Sequence, residues 1–185
     1  MHARKWLSNS TEVLADIPPD DRSAQVSLDS GTLPSIKTLG VLWVAENDTF
    51  SFCFVGLTQS TQLTKRLFLK KIATIFDPLG LLAPFIVRAK VLFQDIWLAG
   101  YDWDDPLSDA LSDAAQQWFD ELPDFSQIQI PRCLQDSSIG IRVATELHIF
   151  VDASEKAYGA VAYLALTYAN GERSSRMVIM RTGET

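Results

Sequence analysis

The amino-acid sequence predicts an α+β fold in which a β-hairpin is followed by three helices and then by the opening strands of an α/β sheet. Three observations support this order. Phe50, Phe52 and Phe54 alternate with other residues, which is typical of a strand with one buried face. Apolar residues between positions 61 and 122 recur at helical spacing. From residue 146 onward the apolar residues alternate again.

The composition indicates a folded chain. Its 185 residues are 47% hydrophobic and 21% charged, which is ordinary for a globular protein. The five Trp and ten Phe residues argue against disorder. The formal net charge of −7 counts against a strongly basic nucleic-acid-binding protein.

The cysteines and the apolar stretches indicate the compartment. Cys53 and Cys133 are far apart in the sequence, so we expect neither a disulfide framework nor a zinc site. The first residues lack the apolar core of a signal peptide. The most apolar stretch, residues 79–98, is interrupted by charged residues and is too polar to span a bilayer. We therefore expect an intracellular, cytoplasmic protein that is neither secreted nor bound to a membrane.

The N-terminal part is predicted to hold a short helix and the hairpin. Residues 1–35 are polar and rich in turn formers, with a helix expected over residues 12–16. The hairpin is expected over residues 37–57, with one strand from 38 to 44 and a second from 49 to 55.

Three helices are predicted next. The first spans residues 61–76, and the second spans about residues 84–98 and is closed by Gly100. The third has Asp105 as its N-cap and ends at Pro123.

The C-terminal part is predicted to be a sheet. Its strands are expected at residues 146–152, 160–166 and 177–181. Asn170-Gly171 is the strongest hairpin signal in the chain. A further short strand is expected at residues 128–130.

Asp152 follows an apolar run and precedes Ala153-Ser154. A carboxylate at the end of a central strand can bind a metal ion for hydrolysis of a phosphodiester. One carboxylate is not enough, because Mg²⁺ prefers octahedral oxygen coordination. An aspartate in such a context is also a common turn former, so the residues alone leave both interpretations open.

A second candidate site lies near the N-terminus. The segment Leu28 to Thr32, which contains Asp29-Ser30-Gly31, fits the aspartic-peptidase pattern, in which two aspartates share a proton. A single copy would have to dimerise, and the residues that follow the hairpin predict mainly helix. Asp-Ser-Gly is also an ordinary turn tripeptide. An endopeptidase that uses Asp29 is therefore kept as an alternative.

Six collinear segments, covering about residues 4–166, carry a more specific pattern. They are Lys5–Ser10, Lys37–Trp43, Ile72–Pro84, Tyr101–Pro106, Ile130–Cys133 and Leu147–Val161. Together they resemble the pol polyprotein of Bel/Pao long-terminal-repeat retrotransposons. In that family the region carries the name Pao retrotransposon peptidase, family A17.

The resemblance implies three parts. Residues 1–57 would be the tail of a reverse-transcriptase palm with its hairpin, residues 58–145 a helical region like a thumb or connection, and residues 146–185 a truncated RNase-H-like domain. The chain would then be a fragment of a transposable-element polyprotein at the junction of reverse transcriptase and RNase H. We expect an incomplete enzyme that is not catalytic alone; an inactive, degenerate element product is a further alternative.

The resemblance also implies functional residues. Asp152 matches the first metal-binding carboxylate of RNase-H-like domains, which implies Mg²⁺ for a complete site. Gly40 falls in the primer-grip hairpin. The thumb-like helix carries four cations, which are Lys65, Arg66, Lys70 and Lys71. They would contact a nucleic-acid backbone or else form a solvated helix face. The expected partners are an RNA–DNA hybrid or other parts of the polyprotein, with no small-molecule cofactor.

Overall fold

The computed structural model shows a protein of mixed helix and sheet. It describes residues 2–26, 33–38, 41–54 and 62–184. The chain forms two compact units, of which the first comprises Met1–Cys53 with Asp124–Cys133 and the second comprises Phe54–Pro123 with Leu134–Thr185. Among the described residues, each unit contains one sheet, and the strand pairs in both sheets are antiparallel.

The first unit begins with a short helix, α1 (Thr11–Ala15), and a 3-10 turn at Pro19–Asp21. Ser10 caps α1, since its side chain accepts a hydrogen bond from the amide of Val13. The sheet has the order β1-β2-β3-β4. Its strands are β1 (Ser35–Thr38), β2 (Val41–Val44), β3 (Thr49–Ser51) and β4 (Ile130–Pro131).

The predicted hairpin differs from the observed strands. The expectation of one strand over residues 38–44 is wrong, because Ser35 pairs with Val44 and Thr38 pairs with Val41. Thr38 and Val41 therefore lie in two different strands, although the prediction assigned both to one. The turn from β2 to β3 is closed by Asp48, which has a φ of 50° and accepts a hydrogen bond of 3.0 Å from Trp43 Nε1.

The second unit contains three longer helices: α2 (Lys65–Ile72), α3 (Ala83–Leu98) and α4 (Asp109–Asp120). Thr64 caps α2 by accepting a hydrogen bond of 3.2 Å from the amide of Leu67. A 3-10 helix, Leu122–Gln127, follows α4.

Two helix boundaries differ from the prediction. Helix α2 is shorter than the expected span of residues 61–76. Asp105 is not the N-cap of α4, which begins after Ser108. Instead, the Asp105 carboxylate accepts a hydrogen bond of 3.1 Å from the amide of Asp102 and closes the preceding turn. Asp105 and Ser108 both suit an N-cap, so the residue type alone could not choose between them.

Aromatic side chains form the core between the helices. Phe68 of α2 is fully buried and lies edge-on to Trp118 and Phe119 of α4. Trp118 stacks on Phe85 of α3 at a centroid distance of 4.7 Å. Its indole nitrogen donates a hydrogen bond of 3.0 Å to the Phe85 carbonyl, which satisfies a polar group that would otherwise be costly to bury.

The second sheet has the order β5-β6-β7, and its strands are longer than predicted: β5 (Arg142–Ala153), β6 (Ala157–Tyr168) and β7 (Arg173–Glu184). The turn from β6 to β7 contains the predicted Asn-Gly pair. Gly171 has a φ of 85° and donates to the carbonyl of Tyr168. This bond and the positive φ fit a three-residue hairpin loop that ends in a left-handed glycine.

Helix α3 packs against β7, so the helices and the sheet belong to one unit. The Lys90 ammonium of α3 donates to the carbonyl of Thr182 in β7, and the Thr182 hydroxyl donates to the carbonyl of Ala83. The predicted division of the chain at residues 145 and 146 therefore separates elements that contact each other here. The division of the chain into three parts stays a prediction.

Candidate functional site

Asp152 lies near the end of β5 and is exposed. It pairs with Gly159 of β6, which in turn pairs with Thr182 of β7. Gly159 has no side chain, and a Cβ atom placed there would meet only the Thr182 methyl group at 3.8 Å. The surface beside the Asp152 carboxylate is therefore open. One carboxylate oxygen accepts a hydrogen bond of 3.0 Å from the amide of Ala153.

A metal ion needs more ligands than this strand supplies. In the part of the chain that the structure describes, no cluster of three or more His, Cys, Asp or Glu side chains could hold one. Mg²⁺ prefers six oxygen ligands in octahedral geometry. The described residues therefore do not fit a Mg²⁺ site by themselves, and the Mg²⁺ expectation for a complete nuclease-like site stays a prediction.

Lys65, the first of the four predicted phosphate-binding cations, points into the protein. Its side chain is only 6% exposed, and its ammonium donates to the carbonyl of Tyr101. The same ammonium lies 4.4 Å from the ring centre of Trp97 and 5.2 Å from that of Trp103. These rings form a cation–π cage, so Lys65 joins α2 to the segment between α3 and α4.

Lys71 also faces inward. It is 8% exposed, and its ammonium lies 4.7 Å from the ring centre of Phe119 in α4. Burial lowers the pKa of Lys71, because the charged form is less well solvated there than in water. Lys65, Phe68 and Lys71 are spaced three residues apart and share the buried face of α2.

The other two cations of α2 are exposed. Arg66 forms a two-pronged ion pair with Asp104, with hydrogen bonds of 2.7 and 2.9 Å. This hydrogen bonding lowers the pKa of the Asp104 carboxyl. Lys70 is exposed on the same helix. The structure therefore does not bring the four cations together on one solvent-facing surface, and of the four only Arg66 and Lys70 are exposed.

The remaining predicted residues cannot be located. Asp29, proposed for a peptidase, and Gly40, proposed for a primer grip, lie outside the described residues. Both assignments stay predictions.

The sequence analysis missed the role of the turn that follows α2. The Asp77 carboxylate accepts hydrogen bonds of 2.9 Å from the amide of Leu81 and 2.7 Å from the amide of Leu82. Gly80 completes the turn with a φ of 75°, and a side chain there would collide with the backbone of Met180 in β7. The Asp-Pro-Leu-Gly pattern is a turn signal, but it did not reveal which strand the turn meets.

Comparison with known proteins assigns residues 64–182 to a ribonuclease-H-like class of domain. The model of the Pao retrotransposon-like RNaseH-like domain matches residues 64–182, which is more than half of the 185 residues. The chain therefore belongs to the Pao retrotransposon family. No curated protein matches it.

The match starts at Thr64, the cap of α2, and ends at Thr182 in β7. The matched region therefore includes α2, α3 and α4 as well as the second sheet, and it also contains Asp124–Cys133 of the first unit. Among the described residues, no helix is both long enough and apolar enough to cross a membrane.

Proposed function

We propose that this chain is the part of a retroelement pol polyprotein that spans the junction of reverse transcriptase and RNase H, where it helps to hold an RNA–DNA hybrid. The family match supports a retrotransposon pol region. The single structural observation that carries the proposal is the exposed Asp152 at the end of β5, beside the open surface at Gly159.

Asp152 is the residue that the sheet would contribute to a nuclease site. Its carboxylate points from an exposed strand, and the matched domain includes that strand. In the whole polyprotein Asp152 would be one of several oxygen ligands for Mg²⁺, which supplies the charge that polarises a phosphate. The described residues hold no complete ligand set, so the chain alone is proposed to be catalytically silent.

The exposed face of α2 is the proposed contact with the nucleic-acid backbone. Arg66 and Lys70 are one helical turn apart and both are exposed, so both could reach phosphates on one strand. The Arg66 guanidinium is held by Asp104, which fixes its direction but neutralises part of its charge. Because the chain carries a net charge of −7, such binding would be local and sensitive to salt.

Titration of the full chain with a labelled RNA–DNA hybrid at low and high salt tests this proposal. We expect binding at low salt that weakens as salt increases. Lys70→Glu should weaken binding and lower the salt slope by roughly one. Arg4→Glu, a matched change of an exposed cation in the first unit, should leave the affinity closer to that of the wild type. Absence of binding at low salt would overturn the proposal.

A further inference from the structure

A cavity of about 210 Å³ lies in the second unit, where the turn after α2, helix α3 and strand β7 meet. Two cations line it, Lys90 of α3 and Arg181 of β7, together with one carboxylate, Asp77. The other lining residues carry no charge. Since a water molecule takes up about 30 Å³ in the liquid, the cavity has room for a small anion and some water.

Both cations keep hydrogen-bond donors that the protein does not use. The Lys90 ammonium donates to the carbonyl of Thr182 at 3.3 Å, and the Arg181 guanidinium donates to the carbonyl of Pro78 at 2.8 Å. An ammonium offers three donors and a guanidinium five. In the part of the chain that the structure describes, neither cation forms an ion pair with a carboxylate. Their charges are therefore available to a ligand.

The carboxylate in the lining is already engaged. The two oxygens of Asp77 accept hydrogen bonds from the amides of Leu81 and Leu82. Glu184 lines an adjacent groove together with Lys90, but no ion pair within 4.0 Å joins these two described residues. Two positive charges and one negative charge leave the lining positive overall, although the whole chain carries a net charge of −7.

Backbone contacts hold the walls of the cavity in place. Gly80 lies directly against the backbone of Met180, and the Thr182 hydroxyl donates to the carbonyl of Ala83 at the start of α3. The turn, the helix and the strand are thus joined before any ligand arrives. A site that is already ordered loses less conformational freedom when it binds.

We propose that this cavity binds a phosphate dianion, either free phosphate or the terminal phosphate of a monoester. The oxygens of one phosphate group can accept from Lys90 and Arg181 together, and a guanidinium pairs with phosphate through two parallel hydrogen bonds. A phosphate monoester carries a charge of about −1.5 to −2 at pH 7, so it gains more from two cations than a singly charged phosphodiester does. The site is separate from the exposed face of α2 and does not depend on binding of an RNA–DNA hybrid.

Titration of the full chain with inorganic phosphate tests the proposal. Chloride keeps the ionic strength constant, and amide NMR resonances report where the ion binds. We expect saturable shifts at Gly80, Leu81 and Thr182 that share one dissociation constant.

Variants of the two cations test which groups hold the ion. Lys90→Gln and Arg181→Gln should each weaken phosphate binding about tenfold, as expected for the loss of one charge-assisted hydrogen bond. Arg181→Lys keeps the charge and should bind phosphate more tightly than Arg181→Gln. Arg173→Gln makes the same change at an exposed residue of β7 that does not line the cavity. This control should bind like the wild type.

Two further ligands distinguish the sources of the phosphate group. A nucleoside 5′-monophosphate should compete with inorganic phosphate for the site. A dinucleotide that has one phosphodiester and no terminal phosphate should compete much less.

Three results would overturn the proposal. The first is a set of amide shifts that grows without saturation or spreads over the whole surface. The second is wild-type affinity in both Lys90→Gln and Arg181→Gln. The third is a dinucleotide that binds as tightly as the monophosphate. The amide spectrum of each variant also shows whether it is folded, and Arg181 is exposed, so its variants separate a lost site from a lost fold.

Discussion

The amide of Met180 donates a hydrogen bond of 2.8 Å to the carbonyl oxygen of Leu79, and this bond joins the turn after α2 to the outer edge of β7. The Arg181 guanidinium adds a second bond of 2.8 Å, to the carbonyl of Pro78. The backbone groups on this edge would otherwise be available for pairing with another chain. The turn therefore covers part of the β7 edge, which lies on the opposite side of the sheet from β5.

Gly80→Ala should destabilise the second unit. The residue has a φ of 75° and lies against the backbone of Met180, so alanine adds both backbone strain and a collision, together about 2–4 kcal/mol. Gly100→Ala is a matched control, because Gly100 has a φ of 78° but no atom within 4 Å of the added Cβ. Its cost should be about 1 kcal/mol. Urea unfolding of both variants measures the two losses of unfolding free energy. Equal losses would contradict the close approach of Gly80 to β7.

Alanine substitutions of Lys65 and Lys70 should have very different effects on stability, although both residues are lysines of α2. Lys65→Ala removes the hydrogen bond to Tyr101 and the contacts with Trp97 and Trp103, and should cost about 1–3 kcal/mol of unfolding free energy. Lys70→Ala, at an exposed position, should stay within about 0.5 kcal/mol of the wild type. Chemical denaturation provides the comparison. If Lys70→Ala lowered the unfolding free energy strongly and Lys65→Ala did not, the assignment of the buried face of α2 would be wrong.

Lys71 should make stability depend on pH. Burial lowers its pKa below 10.5, so the folded chain binds fewer protons at this group than the unfolded chain does. The free energy of unfolding then rises with pH between the lowered pKa and 10.5. Lys71→Met removes this dependence, so the wild type should gain stability relative to the variant as the pH rises toward 10.5. Denaturation of both proteins at a series of pH values checks the sign; an opposite trend would contradict the burial.

Asp152 should contribute to function and not to stability. Its side chain is exposed, so Asp152→Asn should change the unfolding free energy by no more than about 0.5 kcal/mol. Because the described residues hold no cluster of metal ligands, millimolar Mg²⁺ should not raise the melting temperature of either protein. Thermal melts with and without Mg²⁺ measure both effects. A rise in melting temperature that is lost in Asp152→Asn would show that this chain binds Mg²⁺ through Asp152 without ligands from other parts of a polyprotein.

The sequence was informative where one local pattern determined one element. Alternating apolar residues located the three strands of the second sheet, and Gly171 supplied the left-handed residue that the turn before β7 requires. Thr64 has a side chain of the type that favours an N-cap, and it caps α2 in the structure. In each case the deciding interaction lies within a few residues along the chain.

The sequence was less informative where residues far apart in the chain determine the environment of a side chain. Lys65 and Lys71 were expected to meet phosphates or solvent, because a charged residue on a helix usually does. Their burial depends on aromatic rings of later segments, Trp97, Trp103 and Phe119. Nothing in the spacing of α2 could show that these rings would surround the ammonium groups.

The bonds between the turn at Leu79 and β7 also bear on how the chain folds during synthesis. The bond between Arg181 and Pro78 joins two residues that are 103 positions apart in the sequence, and contacts between such distant residues form slowly. Helix α3 can pack against β7 only after the ribosome has synthesised β7, so until then the apolar surface of α3 that faces β7 stays uncovered. That interval is when chaperones would be most needed, since exposed apolar surface promotes aggregation.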